Sequence, residues 1–341
     1  MDGNDLAGIA RAMVAPGKGL LAADESTGTI AKRLKDIGVE STEEHRRAYR
    51  ELLFTTAGLE TFISGVILYD ETIRQQAHDG RAFPELLKSK GIFAGIKPDK
   101  GAQPLAGFPA ETVTEGLDGL RERLEEYRSL GAQFAKWRAV IRIGSGLPTG
   151  TALEANAHAL ARYAALCQEV GLVPIVEPEV LMDGEHTLER CEEVTTRTLE
   201  TVFAALAQHR VALEGTILKP NMVISGKECP QQAGAGEIAA ATLRCFRKTV
   251  PSAVPGIAFL SGGQSPKQAT ENLNAMNAAG VELPWELSFS YGRALQEPVL
   301  RAWRGDPAQV AAAQDALHHR AKLNGAARAG TYSRELETTA T

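Results

Sequence analysis

The chain has 341 residues, 44 % hydrophobic and 23 % charged, a balance that can bury a sizeable core without disulfide staples. A formal net charge of −5 argues against general nucleic-acid binding, which favours a basic surface, so any anionic ligand must be held by local groups. No stretch approaches the ~18 consecutive apolar residues of a membrane span, and the N-terminus lacks the basic start and apolar run of a secretory signal. Cys167, Cys191, Cys229 and Cys245 form no C-x-x-C pair and read as reduced structural thiols of a cytoplasmic protein.

Short β-rich runs recur along the chain with helical patterns between them. "GLLAAD" (19–24) is the first strand. "STGTIAKRLKDIG" follows as a helix with Ile30, Leu34 and Ile37 on one face and Gly38 closing it. "STEEHRRAYRELL" opens with Ser41 and Glu44 at capping-box spacing. Next come the strands "FISGVILY" (62–69) and "FAGIKP" (93–98). "TEGLDGLRERLEEYRSLG" places Leu117, Leu120, Leu124 and Tyr127 on one helical stripe ending at Gly131. The strand "FAKWRAVIRI" (134–143) leads into "GSGLPTG" (144–150), whose glycine spacing is wrong for a dinucleotide loop and reads as a plain connection. Then follow "VPIVEPEV" (173–180), "GTILKP" (215–220), "GIAFLSGG" (256–263) and "WELSFSYG" (285–292). A last helix, "DPAQVAAAQDALHHRAKL", has Asp306 as N-cap and Pro307 at its first position.

No low-complexity linker divides the sequence. Eight alternating units predict an α/β fold of the (β/α)₈ TIM-barrel type, one domain over residues 1–341 with a mobile tail from about residue 333. An open doubly wound sheet is the competing architecture. It usually has fewer strands and a glycine-rich first turn, which "AADESTG" is not.

In such a barrel the chemistry sits at the C-terminal ends of the strands. Those ends carry Asp24, Lys97, Lys136 with Arg138, Glu177 with Glu179, Lys219, Ser261 and Ser290, with Arg293 just beyond. Residues two apart share a face, so Lys136 points with Arg138 and Glu177 with Glu179. Taken singly, a strand lysine can be an edge residue, "EPE" a pair of solvated acids and "SGGQS" a turn. Polar groups on seven of eight inward strand ends are more than a packed barrel interior tolerates, and one active site explains them together.

Lys219 is the sharpest of them. Ile217 and Leu218 call for burial, Pro220 ends the ladder, and the lysine falls between. An ordinary lysine is only about 0.04 % neutral at pH 7, but a second cation and partial desolvation turn such amines into Schiff-base formers. Lys136 is the candidate cation, Lys219 the candidate amine, and Glu177 a proton shuttle for carbinolamine formation and dehydration. "SGG" and "SYGR" put backbone N–H groups and Arg293 at the usual phosphate locus of a barrel. Ser26 and Thr29, with Lys32 and Arg33 further along, could form a second phosphate site across the mouth. The substrate this implies is a bisphosphorylated open-chain carbonyl compound.

"LAADESTGTIAKRL", "FAKWRAVIRIG", "VPIVEPE", "LEGTILKPNMV", "FLSGGQS" and "FSYGRALQ", in this order, resemble class I fructose-1,6-bisphosphate aldolases from about residue 8 to about residue 332. The resemblance implies reversible cleavage of fructose 1,6-bisphosphate to glycerone phosphate and glyceraldehyde 3-phosphate, as in glycolysis and gluconeogenesis. It makes Lys219 the Schiff-base lysine and Glu177 the active-site carboxylate, with Glu179 its partner. Lys136 would assist carbinolamine chemistry, Arg138 would contribute to binding, and Asp24 would handle substrate hydroxyls and the developing carbanion. By the same resemblance Ser261, Gly262, Gly263, Ser290, Gly292 and Arg293 match the ketose C1-phosphate pocket. Ser26, Thr29, Arg33 and Lys97 match the other phosphate site. Neither cofactor nor metal is implied, and relatives assemble as homotetramers. Animal members end in a tyrosine on a mobile tail, whereas the last tyrosine here, Tyr332, lies inside the matched region.

Three other readings compete. A metal-dependent aldolase needs clustered histidines, and His45, His78, His158, His186, His209, His318 and His319 are scattered. A glycosidase using Glu177 and Glu179 fits poorly with a cationic mouth. A catalytically silent sugar-phosphate binder or scaffold would keep the fold and could lose the set Lys219, Lys136, Glu177 and Asp24, which is intact.

Overall fold

The computed structural model describes residues 5–338. Eight barrel strands, β1 (Gly19–Ala23), β2 (Ile63–Leu68), β3 (Phe93–Ile96), β4 (Phe134–Ile141), β5 (Val173–Val180), β6 (Ile217–Leu218), β7 (Gly256–Phe259) and β8 (Glu286–Tyr291), alternate with helices. All neighbours are parallel, and β8 pairs with β1 to close the ring. The (β/α)₈ architecture is the one expected. The sixth strand is cut to two residues, because Pro220 has no N–H to continue the ladder.

The inward positions change character along each strand. On β5, Val173 and Ile175 are followed by Glu177 and Glu179; on β4, Phe134 by Lys136 and Arg138; on β6, Ile217 by Lys219 just past its end. The period of two keeps each series on one face, so an apolar layer fills the lower barrel and a charged layer the mouth. The other strand faces pack Trp137, Phe259 and Tyr291 against the helices, in the larger core.

A helix absent from the expectation, Leu6–Met13, closes the bottom. Asp5 caps it, accepting from Gly8 N at 2.7 Å. Ile9, Ala10, Met13 and Val14 then cover Leu20, Phe134, Val173, Ile175, Ile217 and Ala258. Without this plug the lower layer would meet water, at a cost of about 25 cal/mol per Å² exposed.

Other boundaries shift for local reasons. The helix expected from Ser41 is capped by Thr42, which accepts from His45 N at 3.1 Å, and runs Glu43–Thr55. The helix expected from Thr114 begins at Leu120, because Thr112–Thr114 pairs antiparallel with Ala102–Pro104 instead. Asp306 is an N-cap as expected, but its first turn, Pro307–Gln309, is 3₁₀ before the helix Val310–Arg328. "GSGLPTG" is a connection whose Thr149 caps the helix Gly150–Glu169. The segment expected to be a mobile tail is docked as far as Glu337. Arg320 donates to both Glu337 carboxylate oxygens at 2.9 and 2.7 Å, and Tyr332 Oη donates to Oε1 at 2.7 Å. Residues 339–341 lie outside the described residues.

Candidate active site

Register assembles the centre of the mouth. Leu218 pairs with Val176, and Lys219 N donates to Val176 O at 2.8 Å, which sets the lysine beside Glu177 on the next strand. Arg138 is in register with Glu177 on the other side. Asn221, two residues past the lysine, anchors the bend. Its Oδ1 accepts from Val180 N at 3.0 Å and its Nδ2 donates to Thr195 Oγ1 at 3.1 Å.

Lys219 Nζ lies 3.2 Å from Glu177 Oε1, and Lys136 Nζ lies 3.1 Å from Oε2 of the same carboxylate. Lys136 also pairs with Asp24 Oδ2 at 2.7 Å. Lys219 and Glu177 are 3 % exposed and Lys136 4 %, so these contacts act with little screening. Burial alone pushes Glu177 up, but Lys136, Lys219 and Arg138 outweigh it and hold the carboxyl below its ordinary value. Asp24 is likewise lowered: burial opposes its charge, and Lys136 and Lys219 overcome it. Lys136 is the converse, with burial opposing its charge and Asp24 and Glu177 holding it above the usual lysine value. Two carboxylates and two lysines thus form a quartet, buried apart from a slightly exposed Asp24.

Of the site residues expected from the sequence, Asp24, Ser26, Thr29, Arg33, Lys97, Lys136, Arg138, Glu177, Glu179, Lys219, Ser261, Gly262, Gly263, Ser290, Gly292 and Arg293 line a single cleft, whereas Lys32 lies outside it, in the neighbouring groove with Arg33 and Arg293. Their states differ from the simple expectation. Arg138 is paired with Glu179, so this acid neutralises a cation instead of backing Glu177. Lys97 pairs with Asp99 Oδ1 at 2.8 Å. Arg33 pairs with Glu25, a buried carboxylate the sequence reading passed over although it stands between Asp24 and Ser26. Glu25 also meets Arg50 at 2.8 Å and accepts from Gln296 Nε2 at 2.8 Å.

The loops expected to hold an anion follow β7 and β8. Gly262 and Gly263 take φ of +55° and +76°, left-handed values that explain two successive glycines. Buried Ser290 Oγ has no hydrogen-bond partner among the described residues. Arg293 begins the helix Arg293–Trp303, is exposed, and has no ion pair among the described residues. One expectation needs revision. Because β1 and β8 are neighbours, Ser26, Thr29 and Arg33 lie next to Arg293, with which Thr29 and Arg33 also line a groove, and not across the mouth. Lys97 and Arg138, at the ends of β3 and on β4, are the cations across from the β7 and β8 loops. Among the described residues no three His, Cys, Asp or Glu side chains stand together as a metal ligand set. No helix among them is long and apolar enough to cross a membrane.

Comparison with known proteins places the chain in a family. The family model for class-I fructose-bisphosphate aldolase matches residues 5–341. A probable fructose-bisphosphate aldolase class 1 of Xanthomonas campestris is 61 % identical over 328 residues, covering 96 % of this chain and 98 % of that protein. The fructose-bisphosphate aldolase of Dictyostelium discoideum is 53 % identical over 338 residues, covering 98 % and 94 % respectively. The fructose-bisphosphate aldolase of Plasmodium falciparum, solved with TRAP and a small-molecule inhibitor, superposes with a TM-score of 0.95 at 49 % identity, covering 97 % of this chain and 96 % of that one. With matches of this length and identity, the chain belongs to the class-I fructose-bisphosphate aldolase family.

Proposed function

We propose that the cleft performs the family's reaction, cleavage of fructose 1,6-bisphosphate to glycerone phosphate and glyceraldehyde 3-phosphate, with Lys219 as the imine-forming amine. The observation that carries this is the shared carboxylate: Lys219 and Lys136 sit on opposite oxygens of Glu177. At 3.2 Å Glu177 is placed to accept the proton that Lys219 must shed before it can attack, beside the cation Lys136.

The free amine attacks the C2 carbonyl carbon of the open-chain ketose, and a C–N bond forms as the proton shed by the attacking nitrogen passes to the carbonyl oxygen. Lys136 stabilises the charge developing on that oxygen. Glu177 returns its proton to the carbinolamine hydroxyl, water departs, and an iminium remains. Asp24, held ionised, takes the proton of the C4 hydroxyl. The C3–C4 bond then breaks, its electron pair moves into the iminium to give an enamine, and glyceraldehyde 3-phosphate leaves. Asp24 returns that proton to C3, and water hydrolyses the iminium to release glycerone phosphate and regenerate Lys219. The iminium is the electron sink, so the reaction needs neither metal nor cofactor, and turnover should persist in excess EDTA.

The ketose C1 phosphate is assigned to Ser261, Gly262, Gly263, Ser290, Gly292 and Arg293. The other phosphate is assigned to Lys97 and Arg138, with Ser26, Thr29 and Arg33 closing the side between. An anionic substrate would draw Arg33, Lys97 and Arg138 from their present carboxylate partners. A cytoplasmic homotetramer is the state we assign by family resemblance, and sedimentation velocity tests the assembly.

Incubation with glycerone phosphate and borohydride, followed by peptide mass analysis, tests the central step. A reduced adduct on the peptide carrying Lys219 is the expected result. Tight glycerone phosphate binding with no trapped adduct would favour a silent sugar-phosphate binder instead.

A further inference from the structure

Lys227 lies on the connection after β6, and its side chain crosses the loop that follows β7. A Cβ built on Gly263 would stand 3.2 Å from both Lys227 Cε and Nζ, and 3.1 Å from Met182 Sδ. The lysine therefore lies in contact distance of the loop assigned to the ketose phosphate. Its backbone is fixed: Gly226 N donates to His186 O at 2.8 Å, Lys227 N to Met182 O at 2.8 Å, and Glu228 N to Gly184 O at 3.1 Å. The side chain is not fixed in the same way. Its ammonium meets only Asp183 Oδ1 at 3.1 Å among the described residues, and both side chains are largely solvated, at 42 % and 54 % exposure. Such an exposed pair is weak, and a phosphate dianion on Gly262 and Gly263 offers the ammonium twice the charge of Asp183.

We propose that Lys227 is a further substrate-binding residue, which turns from Asp183 to the phosphate of the ketose or of glycerone phosphate seated on Gly262 and Gly263. The proposal rests on the assignment of that loop to the ketose phosphate. The flexible stem brings the ammonium to the loop from the connection after β6. Gly263 is then required twice over, for its left-handed backbone and for the room it leaves Lys227.

The test compares Lys227→Met, Asp183→Asn and Arg293→Ala, with KM and kcat measured for fructose 1,6-bisphosphate, glycerone phosphate and glyceraldehyde 3-phosphate. Lys227→Met should raise KM for the first two about three- to tenfold, with kcat nearly unchanged and glyceraldehyde 3-phosphate unaffected. It should also flatten the salt dependence of those KM values, since one phosphate-directed charge is gone. Asp183→Asn frees the lysine and should leave KM equal or lower. If Lys227→Met and Asp183→Asn raise KM alike, the pair only pins the loop and the proposal fails. If Arg293→Ala raises KM for glycerone phosphate while Lys227→Met does not, the proposal fails and the loop assignment stands. If neither variant changes it, both fail.

Discussion

Glu177 and Lys219 meet at 3.2 Å from neighbouring strands, and the contact follows from the register that pairs Val176 with Leu218. Both side chains are buried in the mouth of a closed ring of parallel strands. The consequences of this pairing can be measured one residue at a time.

Lys219→Ala should abolish turnover, by more than about a thousandfold, while leaving the fold intact. Methyl for ammonium leaves Glu177 its second cation, Lys136, so no buried carboxylate is stranded. Steady-state activity and far-UV circular dichroism check both halves. Activity within tenfold of the parent would remove Lys219 from the covalent step.

Glu177→Gln should lower kcat by roughly 10²–10⁴-fold, the range of a lost general acid–base group, with substrate binding retained. The carboxamide keeps the shape but cannot exchange a proton near neutral pH. Glu179→Gln should do less, and mainly to KM, since Glu179 serves as the counter-charge of Arg138. The reverse ranking in kcat would exchange the roles of the two acids.

Lys136→Met tests the charge balance. Asp24 and Glu177 are held below their ordinary values, so their stabilising contribution is complete above the unfolded carboxyl range, near about pH 4, and is lost as pH falls through the lowered values. Lys136, held above its ordinary value, contributes fully below the unfolded lysine pKa of about 10.4 and loses that contribution as pH rises through the raised one. Removing its charge should cost about 3–5 kcal/mol at pH 7, the scale of a broken buried pair. The deficit should shrink below about pH 5, where the orphaned Asp24 carboxyl can take up a proton. Urea unfolding at the two pH values decides it, and a deficit that does not change with pH would rule out this coupling.

Arg293→Ala should raise KM for fructose 1,6-bisphosphate and glycerone phosphate together, by the equivalent of about 1.5–3 kcal/mol. Arginine meets a phosphate with two parallel N–H bonds, so Arg293→Lys should recover only part of the loss. Lys97→Met should act chiefly on glyceraldehyde 3-phosphate, because Lys97 stands across the barrel from the β8 loop. Condensation kinetics with each triose phosphate in turn distinguishes the two sites. If the two variants exchange effects, the phosphate assignment is reversed.

Met13→Ala should cost about 2–5 kcal/mol, as for a large core side chain truncated to alanine, with kcat essentially unchanged. Met13 is buried in the plug at the bottom of the barrel, away from the charged layer. Thermal unfolding and activity at a temperature well below the transition separate the two effects.

The sequence alone determined the alternation of strands and helices, the strand ends where charge replaces apolar residues, and the lysine stranded before Pro220. These are local properties, because a period of two and a proline's missing N–H act over a few residues whatever surrounds them. The tertiary structure alone decided which charges meet. Closure of β8 onto β1 brought Ser26, Thr29 and Arg33 beside Arg293, a neighbourhood that no spacing along the chain encodes. Folding likewise turned Glu25 inward between Arg33 and Arg50, and paired Glu179 with Arg138 instead of leaving it beside Glu177 as a second free acid. The plug Leu6–Met13 also waited on the fold, since its apolar face has meaning only against the bottom of a closed barrel. A charged residue's partner is set by which strands become neighbours, and that choice is made by burial of the whole core.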